Sequence, residues 1–177
     1  MEAQKIPSIT LNGGGDIGDY AFYHCYKAAT ITIGDKVKSI GVNAFSNSAI
    51  SSVTIPDSVT SLKSAFNGCE KLTSMIVGNG LTLINANAFR FIENLTDFTI
   101  ASPIPSSISF AESTKLTIDS LKNIINALVD YSGTENEGVN TLTLNSTCNA
   151  TLDAEGATAP DGLTWKEYVA AKGWLLA

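Results

Sequence analysis

The chain has 177 residues, 44% of them hydrophobic and only 16% charged: enough apolar material for one sizeable core, or a core with a small cap, and too little charge for a disordered chain. The net charge is −6 and Arg90 is the only arginine, so no basic surface exists to neutralise a phosphate backbone, which argues against nucleic acid as a partner. No apolar run approaches the roughly 18 residues of a membrane span, and Met1 to Ser8 carry neither the charged nor the apolar region of a secretory signal.

Along the first hundred residues the dipeptide Ala-Phe recurs at Ala21-Phe22, Ala44-Phe45, Ala65-Phe66 and Ala88-Phe89, spaced by 23, 21 and 23. In phase with it runs a second signal, apolar, two polar, then apolar-x-apolar: Ile50-Ser-Ser-Val53-Thr-Ile55, Leu72-Thr-Ser-Met75-Ile-Val77 and Leu95-Thr-Asp-Phe98-Thr-Ile100. Each such segment ends as a short strand. The last apolar positions, Leu11, Ile33, Ile55, Val77 and Ile100, are 22, 22, 22 and 23 residues apart, within the period of leucine-rich repeats. A third column, Ile17, Ile40, Leu62 and Ile84, keeps the same frame, so the irregular Ala-Phe spacing is local to each coil. Strands held in register while loops vary are what a stacked parallel sheet requires, because only the strand column is pinned by ladder hydrogen bonds. Four Ala on one line, Ala21, Ala44, Ala65 and Ala88, are expected to be buried where neighbouring coils approach.

After Ile100 a Pro- and Ser-rich stretch, Ala101 to Ser109, leads to an expected strand at Leu116-Thr-Ile118. A helix is predicted next, capped by Asp119 or Ser120, with Leu121, Ile124, Ile125, Leu128 and Val129 on one face until Gly133. A loop from Ser132 to Asn140 precedes a strand at Leu142-Thr-Leu144. Thr164-Trp-Lys-Glu167 has the spacing of a capping box and opens a short helix ending near Gly173, before the apolar tail Trp174-Leu-Leu176. The fold class is therefore an α/β repeat, a leucine-rich-repeat solenoid with a parallel sheet and a C-terminal strand-helix-strand cap. Residues 1–100 are read as repeats of about 22 residues, and residues 101–177 as enlarged repeats that continue the sheet and act as its cap.

Chemistry-bearing constellations are sparse. Gly13-Gly-Gly15-Asp-Ile-Gly18 matches the dinucleotide fingerprint in form, but the residues that follow belong to the repeat and no helix of a βαβ unit follows, so a turn is expected and no cofactor is assigned. Cys25 and Cys69 occupy one offset, four residues after their Ala, facing the core. Two coils separate them, on the order of 10 Å, beyond the roughly 7 Å reach of a disulfide; they and Cys148 are read as free thiols. His24-Cys25 lacks a third group at metal or triad spacing, and Asp16, Asp19, Asp35, Asp57 and Asp97 never form a facing acid pair. Neither catalysis nor a metal site is assigned.

The informative column lies between the two apolar strand positions: Thr10, Thr32, Thr54, Ile76, Thr99, Thr117 and Thr143. Strand alternation turns these outward if Ile31 and Ile33 turn inward. The residues two before them, Ser8, Thr30, Ser52, Ser74, Asp97, Lys115 and Thr141, share that face. It is a hydroxyl-lined, nearly uncharged surface, whose Thr residues equally suit an exposed strand with no ligand.

Ile17-Gly-Asp-Tyr-Ala-Phe22-Tyr-His-Cys25, Val53-Thr-Ile55-Pro56-Asp-Ser-Val59 and Ala65-Phe-Asn-Gly-Cys69-Glu-Lys-Leu72 resemble the BspA-like leucine-rich repeats of bacterial surface proteins. The resemblance covers about residues 9 to 100; Leu142-Thr-Leu144 and Ala171-Lys-Gly-Trp174 look like an ending common on such proteins. Ser48 and Ile92 depart from the family's Cys, and Gly34, Gly78 and Ala101 from its Pro. What the resemblance implies is a non-enzymatic module at the bacterial cell surface or secreted, its signal absent from this chain. Such a module would recognise an extracellular protein or glycan through the sheet face, with Thr32, Thr54, Ile76 and Thr99 as the candidate contacts. The other reading is a structural spacer that presents other domains, since a face without aromatic clusters offers few binding hot spots.

Overall fold

The computed structural model describes residues 7–156 and 158–177; Met1 to Ile6, part of the segment read for a signal, lie outside them. In chain order the strands of the repeats are β1 (Ser8–Leu11), β2 (Gly15–Ile17), β3 (Thr30–Ile33), β4 (Val37–Ile40), β5 (Ser52–Ile55), β6 (Ser61–Leu62), β7 (Ser74–Val77), β8 (Leu83–Ile84) and β9 (Asp97–Ile100). The odd-numbered strands form one five-stranded parallel sheet and the even-numbered ones a second sheet of four. The chain is thus a parallel solenoid of leucine-rich repeats. The register is the one the columns dictate, with Ile9 beside Ile31, Val53 beside Met75 beside Phe98, and Ile55 beside Val77 beside Ile100. The third column, Ile17, Ile40, Leu62 and Ile84, is the ladder of the second sheet. Gly15-Asp-Ile17, expected as a turn, is the first strand of that sheet, because Ile17 is held against Ile40.

Between the sheets and the Ala-Phe arc runs one continuous core. Phe45, Phe66 and Phe89 are fully buried, and the rings of Phe22 and Phe45, and of Phe45 and Phe66, stack at 5.3 Å. Ala44, Ala65 and Ala88 are fully buried as expected. Ala21 is exposed, since among the described residues its arc packs only against the one that follows. Backbone bonds join the arcs too: Phe22 N–H donates to the Ala44 carbonyl at 2.7 Å and Phe45 N–H to that of Ala65 at 2.9 Å. Along one edge Ser51, Thr73 and Thr96 each direct both N–H and Oγ at one carbonyl of the coil before, that of Ala29, Ser51 and Thr73 respectively. Asp19 and Asp57 do the reverse, accepting from the backbone N–H of Val42 and Asn79 in the following coil.

Beyond β9 the sequence expectation needs correction. Leu116-Thr-Ile118 is not a strand: Thr117 is the N-cap of helix α1 (Ile118–Ala127), its side chain accepting from Ser120 N–H. Asp119 and Ser120 therefore lie inside the helix. Its end also comes early, as Leu128 is extended and bridges Ile104. The main sheet is not continued past β9; α1 packs on it instead. The helix answers the strand's free edge with side chains one turn apart. Ser120 Oγ accepts from Phe98 N–H at 2.8 Å and donates to the Thr96 carbonyl at 3.1 Å, and Asn123 Oδ1 accepts from Ile100 N–H at 2.7 Å.

Three further strands, β10 (Ile108–Phe110), β11 (Thr141–Leu144) and β12 (Leu175–Leu176), make a separate parallel sheet, so Thr143 belongs to that sheet and not to the repeat face. The strand-helix-strand order of this end fits a leucine-rich-repeat solenoid. Helix α2 (Ser146–Ala154) was not foreseen, while α3 (Trp165–Ala171) opens on the expected Thr164–Glu167 capping box. Buried Lys172, just after α3, donates to the carbonyls of Leu128 at 2.6 Å and Asn126 at 3.2 Å, placing a cation at the C-terminal end of α1, whose last turn has none.

Close approach of the coils sets a mutational contrast. Ala65→Leu should lower unfolding stability by about 1–3 kcal/mol through overpacking, whereas Ala21→Leu, at an exposed site, should change it by under about 0.5 kcal/mol; urea unfolding of the two variants measures both.

Candidate functional site

On β1, β3, β5, β7 and β9 every second side chain is exposed, save Ser74, which is half-buried, so one face of the main sheet meets solvent. Thr32, Thr54, Ile76 and Thr99 all lie on it with exposed side chains. Ile76 is flanked by Thr54 on one side and Thr99 on the other and is 49% exposed, a lone large apolar group among hydroxyls. A shallow depression on this face is lined by Thr32, Ser52, Thr54, Ser74 and Ile76. The second column, Ser8, Thr30, Ser52, Ser74 and Asp97, is in register beside the first. Two expected members are absent from the face: Thr117 is the α1 cap and Lys115 lies in the turn before it. The only charge left on the five strands' outward columns is Asp97.

The residues weighed for chemistry are spent on structure. Asp16 accepts from Ser39 Oγ at 2.6 Å in the following coil, and Asp19 from Val42 N–H. No group of three or more His, Cys, Asp or Glu among the described residues is placed to hold a metal ion. Cys25, Cys69 and Cys148 are all buried and free. Cys69 Sγ donates to the Phe45 carbonyl at 3.2 Å, and Ser48, in the same slot one coil earlier, donates to the Phe22 carbonyl at 3.4 Å. Ser48 thus departs from the Cys pattern without losing the slot's donor. Burial pushes the Cys69 thiol up to about 11, and raises those of Cys25 and Cys148 as well, the opposite of what a nucleophilic thiolate needs. His24, adjacent to Cys25, turns instead to the Tyr26 hydroxyl.

A fifth unit of the Ala-Phe arc escaped the sequence columns. Ser109-Phe110 takes the Ala-Phe place, with the Phe110 ring stacked 5.4 Å from Phe89, and Ser113 takes the Cys slot, donating to the Ile92 carbonyl at 3.0 Å. The spacing from Ala88-Phe89 to Ser109-Phe110, 21 residues, was the available signal.

These columns define a solenoid built from leucine-rich repeats. The family model described as "BspA type Leucine rich repeat region" matches six copies over residues 2–117, well over half of the chain, and the protein belongs to that family. Among solved structures, a leucine-rich repeat protein from Bacteroides ovatus ATCC 8483 is similar at 19% identity, with 81% of this chain and 56% of that one covered and a TM-score of 0.26; the chain spans little more than half of that neighbour's length, and the family assignment rests on the repeats alone. No curated protein matches. The family is one of interaction and surface modules. No helix among the described residues is long and apolar enough to cross a membrane.

Thiol burial has a pH signature. The unfolded chain loses the Cys69 proton near 8.5 or so and the folded chain only near about 11, so this group's contribution to stability is complete below the first value and is lost as pH rises toward the second. Urea unfolding between those limits should show stability falling with pH less steeply in Cys69→Ser, which keeps a donor for the Phe45 carbonyl. An unchanged slope would mean the thiol is not buried.

Proposed function

We propose that the protein is a non-enzymatic binding module that recognises an extracellular protein or glycan through the exposed face of its main sheet, with Thr32, Thr54, Ile76 and Thr99 at the centre of the contact. The observation that carries the reading is Ile76, an apolar side chain left half in water at the middle of a regular hydroxyl array, in a depression its neighbours line. Hydroxyls at strand spacing offer paired donors and acceptors on a rigid support, and one central apolar group supplies the anchor that a partner would desolvate. The family's character as a surface module supports a location outside the cell, at the bacterial surface or secreted. Residues 1–100 are, in this proposal, the recognition repeats, and residues 101–177 the cap that closes them.

A second reading is favoured by a different feature of the same face. It has no aromatic side chain on the outward columns of its five strands, and aromatics dominate most binding hot spots; the repeats would then be a spacer that presents other domains.

Ile76→Asp separates the two. Binding of the purified chain to arrays of extracellular proteins and of glycans should be lost in the variant, while its unfolding stability falls by no more than about 1 kcal/mol, the span of exposed strand substitutions. A hit retained at full strength by Ile76→Asp would exclude the sheet face as the site; no hit in either array would favour the spacer.

A further inference from the structure

The densest exposed aromatic surface of the molecule lies away from the sheet, on the Ala-Phe side of the first coil. Tyr20, Tyr23 and Tyr26 are 55%, 41% and 51% exposed. Their rings connect edge to face through His24: Tyr20 to Tyr23 at 5.6 Å, Tyr23 to His24 at 3.8 Å and His24 to Tyr26 at 4.9 Å. The hydrogen bond between His24 Nδ1 and the Tyr26 hydroxyl fixes the last pair.

Backbone conformation marks the same region. One slot of the arc is left-handed in four successive coils: His24 at φ 61°, Asn47 at 57°, Gly68 at 71° and Phe91 at 59°. A neighbouring slot is left-handed at Tyr20, φ 57°, and Asn43, φ 53°. Gly and Asn are the residues that suit this conformation; for a bulky aromatic it is an outlier with a cost in stability. Tyr20 and Phe91 carry that cost with their rings exposed, so neither is repaid by full burial. Strained positions of this kind gather where a side chain is held for recognition.

In coil order the slot therefore runs from aromatic, through Asn47 and Gly68, to aromatic, three coil steps or about 14 Å of backbone. At its centre is a groove of about 190 Å³ lined by Tyr26, Asn47, Ala49, Gly68, Glu70 and Lys71. Gly68 keeps the floor open, since a Cβ there would run into Asn47 Oδ1. The lining combines one aromatic wall with an amide, a carboxylate and an ammonium, and the last two bring no net charge. A ligand that fits is uncharged, has an apolar face for the Tyr26 ring and carries several hydroxyls that both donate and accept. A sugar ring has these properties; a protein partner would be met by a broader apolar centre than one ring supplies.

We infer that this groove is a glycan subsite in which a neutral hexose unit stacks on Tyr26 and hydrogen-bonds Asn47, Glu70 and Lys71. The inference stands apart from the sheet-face proposal, because the groove and the sheet depression share no residue.

Affinity electrophoresis of the intact chain through gels containing amylose, mixed-linkage β-glucan, mannan or galactan tests it. At least one polymer should retard migration, and Tyr26→Ala should weaken that retardation about tenfold or more with an unchanged melting temperature, because the ring is exposed. Glu70→Gln should weaken it, and Ile76→Asp should leave it intact. No retardation in any of the four gels, retardation that survives Tyr26→Ala, or retardation that Ile76→Asp abolishes would each overturn the subsite. Tyr26-dependent binding confined to an unglycosylated protein would assign the groove to a protein partner and overturn it equally.

Discussion

Each coil of this solenoid is held by the backbone groups of the next. The strands of both sheets pair only with neighbouring coils, and so do the Ala-Phe arcs, whose N–H groups donate to carbonyls one coil on. Side chains extend the same exchange, as Ser51, Thr73 and Thr96 donate backward and Asp19 and Asp57 accept from the following coil. Buried amides left without partners are costly, so the small Ala side chains and the closeness of coils at glycines follow from this pairing. A Cβ on Gly34, for instance, would sit 2.8 Å from the Leu11 carbonyl oxygen. Nearest-neighbour pairing also makes the ends the vulnerable places. At the C-terminal end α1 supplies Ser120 and Asn123 in place of another strand, and Lys172 in turn completes the end of α1.

The same geometry decides what the protein presents to its surroundings. Because only alternate strand residues are needed inside, the outward columns are free to carry Thr, Ser and Ile76 in straight rows. The first coil's arc buries Cys25 but leaves Tyr20, Tyr23 and Tyr26 exposed around a half-buried His24. The buried thiols belong to neither surface. Two of them act as small donors to a carbonyl of the preceding coil, Cys69 to that of Phe45 and Cys148 to that of Ser113, as Ser48 does to Phe22 and Ser113 to Ile92.

Much of the fold was legible in the sequence because its information is repeated. The columns through Ile33, Ile55 and Val77, through Ile40 and Leu62, and through Ala44 and Ala65 each state the register independently, and all agree with it. What failed was where repetition ends. Leu116-Thr-Ile118 carries an apolar-x-apolar pattern like the strands before it, yet the next residues, Asp119 to Asn126, favour a helix that closes the edge, and tertiary context decided the outcome. Ala21 shares its column with Ala65 but is exposed, because among the described residues its arc packs only against the one that follows. Helix α2 escaped notice because Ser, Thr, Asn and Asp dominate it and no apolar stripe announces it. The sheet-face residues could be placed from alternation alone. The aromatic cluster was quoted only as part of the repeat signature; its sign was Tyr20 and His24 standing in slots that the following coil gives to Asn43 and Asn47.

Hydrogen exchange at β9 tests most directly whether side-chain pairing by α1 terminates the sheet. In the native protein the amides of Phe98 and Ile100, bonded to Ser120 Oγ and Asn123 Oδ1, should exchange as slowly as those of β7. In Ser120→Ala the Phe98 amide, and in Asn123→Ala the Ile100 amide, should lose about tenfold or more of its protection, equivalent to about 1.4 kcal/mol, while β5 keeps its own. Equal protection of Phe98 and Ile100 in the variants and the native chain would contradict the account, because the edge would then be satisfied by something other than α1.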